Sequence, residues 1–396
     1  MDNKTTLLFD QSPHLLLDFT KRMPTGKHQD PGWSEGVWTS IARKDGTIQI
    51  GFGMTLDKHT GLGEGYAGVL SNQNQHILRT SGELQNNGHH LEVGRLSYGI
   101  SESTDQVEFV LCDSESSTVP ISFDLKFQPT LPRHFEDKQL LRGVVSEQIV
   151  SEAIRYHQAG HVMGDLSVDG VQHSLNSQEW FALRGHYFGF RPDIGRVPPK
   201  VRDESITPNQ SSTYLQLWCV MELLGPDESP FAFHFYLITT QERCIHSAAS
   251  VYQSDGTQRR SKRVCPALHY DDSTRQPIGG SIKFEFEAQE TITVEVDRVL
   301  DGPGFHLGVG LDTERDHRTT ENEQHIRSTS ANLLEEWGSS VNAPHSQHEL
   351  LVYQLSDTVI TATQGEAKGF GILQSVAYGV WPQFGLTNNR IYECFD

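Results

Sequence analysis

Apolar and polar residues alternate with a period of two along stretch after stretch of this 396-residue chain. Ile48, Ile50, Phe52 and Met54 are interleaved with Gln49, Gly51 and Gly53. Ile121, Phe123, Leu125 and Phe127 are interleaved with Ser122, Asp124 and Lys126. Ile282, Phe284 and Phe286 are followed by Ile292, Val294 and Val296. Successive side chains of a strand point to opposite faces, so this pattern predicts antiparallel strands with one face on a core and one in water. Between them recur Lys44-Asp45-Gly46, Asn86-Asn87-Gly88, Val168-Asp169-Gly170, Ser254-Asp255-Gly256 and Leu300-Asp301-Gly302. Such dipeptides supply the positive φ angles of tight turns. Short strands so punctuated, with no strand–helix rhythm, predict an all-β protein of sandwiches or barrels. A 3.6-residue period is discernible at two places, predicting short helices within 136–156 and over 329–337.

The length suits two domains of about 200 residues each. The proline-rich polar stretch 192–213 lies near mid-chain, and strand alternation resumes at Tyr214. The expected division is therefore 1–195, a linker at 196–213, and 214–396. A net charge of −19 argues against nucleic acid or an anionic membrane as partner, since both repel an acidic surface. No apolar run reaches the length of a transmembrane helix, and the N-terminus lacks a secretory layout. Five scattered cysteines, an odd count without Cys-x-x-Cys, fit reduced thiols in a cytoplasmic protein.

The sequence contains no nucleophile elbow, P-loop, His-Glu-x-x-His or calcium loop. Gly61-Leu-Gly-Glu-Gly65 reads as a turn, because no βα unit follows it. The 19 histidines lack ligand-type spacing: His89 and His90 would face opposite sides of a strand, and Gly160 separates His157 from His161. Structural or surface roles are favoured for them, and neither metal nor cofactor is expected.

The segment Trp180–Arg191 concentrates aromatic, arginine and histidine residues. Trp180, Tyr187 and Phe188 could line a cavity for which Arg184, His186 and Arg191 supply polar handles. Equally, the arginines could pair with acids at a domain seam and the aromatics could be core. Near the C-terminus Tyr378, Trp381 and Phe384 would seal a second barrel or line a second pocket. Trp33 and Trp38 could cover one end of the first barrel.

Arg155-Tyr-His-Gln158, Gly164-Asp-Leu-Ser-Val-Asp-Gly170, Trp180 and Arg184-Gly-His-Tyr-Phe-Gly-Phe-Arg191 together resemble the lipocalin-like two-domain superfamily of carotenoid 1,2-hydratase and AttH-type proteins. The resemblance implies two tandem lipocalin-like β domains and a pocket for a hydrophobic substrate. It also implies cofactor-free hydratase or cyclase chemistry, in which a carboxylic acid protonates an alkene. Relatives carry Arg-Asp-His-Ser-Trp-Gly-x-Arg, so the motif aspartate, serine and tryptophan are here Gly185, Tyr187 and Phe188. A substitute acid such as Asp165 or Glu179 would be needed, and His186 would lose basicity with its orienting carboxylate. The expected function is a cofactor-independent lyase, isomerase or cyclase acting on a terpenoid or polyketide-like molecule. His186, Arg184 and Arg191 would be catalytic, and Trp180, Tyr187, Phe188, Tyr378 and Trp381 would bind substrate. The alternatives are a non-catalytic carrier of a hydrophobic ligand and a structural scaffold.

Overall fold

The computed structural model describes residues 33–57, 62–86, 90–100, 106–114, 117, 119–136, 139–142, 149–190, 213–300, 302, 304–307, 333–340 and 354–387. Among them, two antiparallel sheets curl into tandem barrel and half-barrel domains. In the first, the strands Trp33–Arg43, Ile48–Asp57, Leu62–Ser71 and Asn74–Glu83 run as a meander. Trp33–Arg43 then pairs with the late strand Trp180–Phe190, which pairs in turn with the long strand Ile149–Val168. The second sheet centres on Tyr214–Leu224, held between Pro230–Thr239 and Ala367–Tyr378.

Alternation places the side chains as expected. Ile121, Phe123, Leu125 and Phe127 enter the first core, and Asp124 and Lys126 are exposed. Asp169 and Gly170, both at positive φ, join Val168 to Val171 in a two-residue hairpin. The 20-residue strand Ile149–Val168 changes partners near its middle. Its first half pairs with Trp180–Phe190 and its second half with Ile121–Pro129. Gly164 lies at φ 131°, where a Cβ would strike the Asp124 carbonyl, so a side chain is excluded at this crossing.

Both expected helices are strands. Gln139–Arg142 forms an antiparallel pair with the start of Ile149–Val168, and Leu333–Ser340 pairs with Asn74–Glu83. Short helices are marginal without a packed face, whereas a neighbouring strand satisfies every second backbone group of these segments at once. The expected linker lies outside the described residues, apart from Thr213. Leu333–Ser340 belongs to the second half of the sequence yet extends the first sheet, a crossing that no linear boundary anticipates.

A further departure concerns Ile48–Asp57, whose second face is dry rather than wet. Phe305 lies over Gly51 and Gly68, and Tyr66 over Gly53, where any Cβ would overlap the rings. The Gln75 side chain donates to the His306 carbonyl at 2.7 Å and accepts its backbone N–H at 2.8 Å, all buried. Gln75→Ala strands both backbone groups. We expect a loss of about 2–4 kcal/mol in urea unfolding; a loss below about 0.5 kcal/mol would show that the bridge is replaceable.

A third apolar cluster joins the two domains: Trp218, Val220, Ala232, Tyr236 and Tyr252 of the second meet Ala42, Ala159, Phe181 and Leu183 of the first. Trp38, rather than covering a barrel end, lies here edge-on to Trp218 with ring centroids 5.2 Å apart. Trp33 lies in its strand, but its side chain is outside the described set. Among the described residues Cys112, Cys219, Cys244 and Cys265 are free thiols, and no helix is long and apolar enough to cross a membrane.

Candidate active site

Strand parity sorts the chemistry. On Trp180–Phe190, Arg184 and His186 face the interior of the first barrel. On the neighbouring strand Tyr156 stands opposite His186, and Gln158 opposite Arg184. On the other side Val37 stands opposite His186, and Glu35 shares its face two residues away. This diagonal offset is within reach of a long side chain. Glu35 Oε1 lies 2.8 Å from His186 Nε2, and the Tyr156 hydroxyl lies 3.2 Å from Nδ1. Both Glu35 and His186 are 0% exposed. With Glu35 ionised, Nε2–H donates to the carboxylate, which leaves the Nδ1 lone pair to accept the tyrosine proton. A carboxylate, an imidazole and a phenol thus form one hydrogen-bonded line.

Arg184 flanks this line. Its Nε and Nη2 donate to Gln158 Oε1 at 3.0 and 2.6 Å, and Gln158 in turn donates to the Leu131 carbonyl. Its guanidinium lies 5.4 Å from the Phe127 ring centre and 5.8 Å from that of Tyr156, on which Arg133 also bears at 5.8 Å. Positive charge over the phenol stabilises negative charge developing on its oxygen.

The remaining expected site residues separate. Trp180 sits in the first core, away from the Trp33 end of the barrel where Glu35 lies. Tyr187 faces the opposite side of its strand: its ring covers Gly36, and its hydroxyl meets Thr55 at 2.9 Å. The backbone of Phe188 stands opposite Glu35, its side chain being outside the described set, and Arg191 lies outside the described residues. Tyr378 and Trp381 belong to the second domain. Trp381 packs with Phe384 into the second core and donates its indole N–H to the Tyr378 carbonyl, so the structure does not bring this pair together with His186.

Two expectations about acids need correcting. Asp165 is exposed and bound by Ser174, and Glu179 is exposed near Arg43; neither is the acid at His186. Glu35 is, so His186 has its carboxylate despite Gly185. Gly185 stands opposite Trp38 on one side and His157 on the other, and a Cβ there would come within 2.2 Å of the Trp38 indole. Its missing side chain would point into the seam between the domains, not toward His186. Glu35 could have been found in the sequence, because it shares parity with Val37, Thr39 and Ile41 and is the one acid on that inward face of the strand. Tyr156 was marked only by its place in the Arg155–Gln158 motif.

The seam holds a second polar group on the opposite parity. His134, His157 and His234 are all buried, with ring centroids 4.6–5.4 Å apart. Glu136 Oε1 accepts the Trp218 indole N–H at 2.9 Å and His157 Nδ1–H at 3.2 Å. Burial by itself would raise this carboxyl, but the His234 ring, the His157 hydrogen bond and the Arg155 guanidinium hold it well below the ordinary range. Burial, with Glu136 opposing, pushes His234 down to about 3. His134 is lowered by burial and by its two histidine neighbours, so both rings are neutral near pH 7.

The fold and these buried groups define a protein of two antiparallel β domains, with an acid–histidine–tyrosine line inside the first. The chain belongs to a family of unknown function, DUF8625, which matches residues 21–387. No curated protein sequence matches it. Among solved structures it is similar to an AttH candidate from Nitrosomonas europaea, at 11% identity and a TM-score of 0.48, covering 89% of this chain and 96% of that one. It is also similar to kievitone hydratase from Nectria haematococca, at 10% identity and a TM-score of 0.46, covering 86% and 88%. CghA matches at 10% identity and a TM-score of 0.44, covering 87% and 88%.

Proposed function

We propose that this protein is a lyase or isomerase of the hydratase or cyclase type, acting on an apolar terpenoid or polyketide-like molecule by proton transfer inside the first barrel. The observation that carries this reading is the Glu35–His186–Tyr156 line, fully buried among apolar residues. A dry site strengthens every electrostatic interaction within it, and an imidazole titrates close to working pH. Tyr156 is the group that meets substrate. In the acid form of the line His186 is an imidazolium, with Nε2–H on Glu35 and Nδ1–H on the Tyr156 oxygen. The Tyr156 hydroxyl proton passes to an alkene or enol carbon and Nδ1 reprotonates the phenolate. The proton released when the resulting cation deprotonates or takes up water returns along the same line to His186. Run in reverse, the same line removes a proton. Arg184, held by Gln158, orients polar substituents of the substrate. Because His186 and Glu35 have no exposure, substrate reaches Tyr156 only when the side chains around the line part.

The test starts from the full-length protein purified without detergent. Apolar molecules that copurify are extracted, identified by mass spectrometry, and returned to wild type and to His186→Gln. Wild type is expected to yield an isomer or a hydrated product. His186→Gln is expected to turn over about 10²–10⁴-fold more slowly. Recovery of every bound molecule unchanged from wild type would make the protein a carrier, and equal turnover by the variant would remove His186 from the chemistry.

A further inference from the structure

The seam histidines share a feature that hydrogen bonding alone leaves unexplained. A ring nitrogen of each of His134, His157 and His234 lies within 4.8 Å of those of the other two. His157 Nε2 and the Tyr252 hydroxyl are buried with no hydrogen-bond partner, and His234 Nε2 also makes no hydrogen bond, its nearest acid being Glu136 Oε1 at 3.5 Å. Buried polar atoms are almost always satisfied, so three orphans in one cluster call for an occupant that accepts their lone pairs. The tautomers already suit such an occupant. Glu136 takes the Nδ1 proton of His157, which turns the Nε2 lone pair inward. A carboxylate behind a histidine is the usual outer support of a metal ligand. Ser250 Oγ holds His134 Nε2 at 2.9 Å, and Tyr252 stacks on the same ring at 4.3 Å and 11°, so that ring is oriented before any ion arrives.

We propose that His134, His157 and His234 bind a divalent transition-metal ion of the zinc class, which clamps the two β domains together. Three imidazoles on a d-block ion at roughly 2.0–2.1 Å stand about 3.4 Å from one another. The widest observed spacing therefore closes by up to about 1.4 Å, within the reach of side-chain rotation. Imidazole nitrogen selects zinc, cobalt, nickel or copper over calcium and magnesium. Glu136, bonded to His157 and Trp218, supplies a compensating negative charge beside the site. The fourth position would take a water, with the Tyr252 hydroxyl as its neighbour. His134 and His157 come from the first domain, on His134–Phe135 and Ile149–Val168, and His234 comes from Pro230–Thr239 of the second. Such an ion adds coordination bonds to a seam already held by apolar contacts and by the Trp218–Glu136 and Ser250–His134 hydrogen bonds.

This site is separate from the proton-transfer line by strand parity. His157 follows Tyr156, and the two point to opposite faces of one strand. The inference is therefore independent of the proposed enzymatic reading.

The test uses full-length protein stripped with EDTA and titrated with Zn²⁺ by calorimetry, and with Co²⁺ by visible absorption. We expect one equivalent bound, a cobalt spectrum typical of nitrogen coordination below six, and a raised thermal midpoint. His134→Gln, His157→Gln and His234→Gln should each weaken binding by about 100-fold. His173→Gln, on the Val171–Leu175 strand outside the cluster, should bind like wild type. Wild-type binding of less than about 0.2 equivalents, or octahedral cobalt only, overturns the proposal. So does unchanged affinity in the folded glutamine variants. If those variants fail to fold, the wild-type stoichiometry and cobalt spectrum decide by themselves.

Discussion

Glu35→Ala is expected to destabilise the folded chain by about 3–5 kcal/mol, the usual cost of removing one partner from a buried charged pair. Glu35 and His186 are both fully enclosed, 2.8 Å apart, so the deletion leaves His186 Nε2–H without its acceptor in a dry interior. Glu35→Gln keeps an acceptor oxygen while discarding the charge, and should cost about 1–2 kcal/mol. Because the two groups act as a unit, the double variant Glu35→Ala/His186→Ala should lose less than the sum of the single losses, by about 1–3 kcal/mol. Urea unfolding of the four proteins measures the cycle. A Glu35→Ala loss within about 0.5 kcal/mol of wild type would mean that the pair contributes nothing to the closed state.

Gly185→Asp, which restores the aspartate that the resemblance leads one to expect, should lower stability by more than about 4 kcal/mol and yield little soluble protein. Two costs add. The new Cβ would lie 2.2 Å from the Trp38 indole, which is itself packed edge-on against Trp218, so the overlap cannot relax without parting the domains. The carboxylate would also be buried in the seam rather than the barrel, opposite His157, whose ring already bonds the Glu136 carboxylate. Gly185→Ala carries the first cost without the second and should lose about 1–3 kcal/mol. Trimming the ring with Trp38→Ala should recover part of either loss, since neighbouring substitutions are coupled. A well-folded Gly185→Asp protein with unaltered thermal unfolding would refute this account of the glycine.

Much of the fold was legible in local patterning. The run Ile121–Phe127 announced a strand with one apolar face, and Asp169-Gly170 announced the hairpin turn that the two positive φ angles complete. The helices expected within 136–156 and over 329–337 failed because a short segment with a mixed period is decided by what it can pair with. The edge that takes Leu333–Ser340 is the far-off strand Asn74–Glu83, whereas Gln139–Arg142 folds back on Ile149–Ala153 within its own segment. The dry outer face of Ile48–Asp57 was hidden for the same reason, since Phe305 arrives from about 250 positions away in sequence to cover its glycines.

The 155–191 segment shows where that boundary falls within a site. By itself the sequence determined that Arg184 and His186 share one face of a strand and that Gly185 and Tyr187 share the other, because side-chain direction along a strand alternates for steric reasons local to each residue. It could not say which face is the barrel interior and which the seam, nor that Glu35 reaches His186 and that Glu136 gathers three histidines. Those facts depend on antiparallel register between strands up to about 150 residues apart, and register is set by how whole faces bury against one another. The aspartate missing at 185 looked like lost chemistry in one dimension. In three dimensions Glu35 supplies the acid from a neighbouring strand, and Gly185 makes room for Trp38.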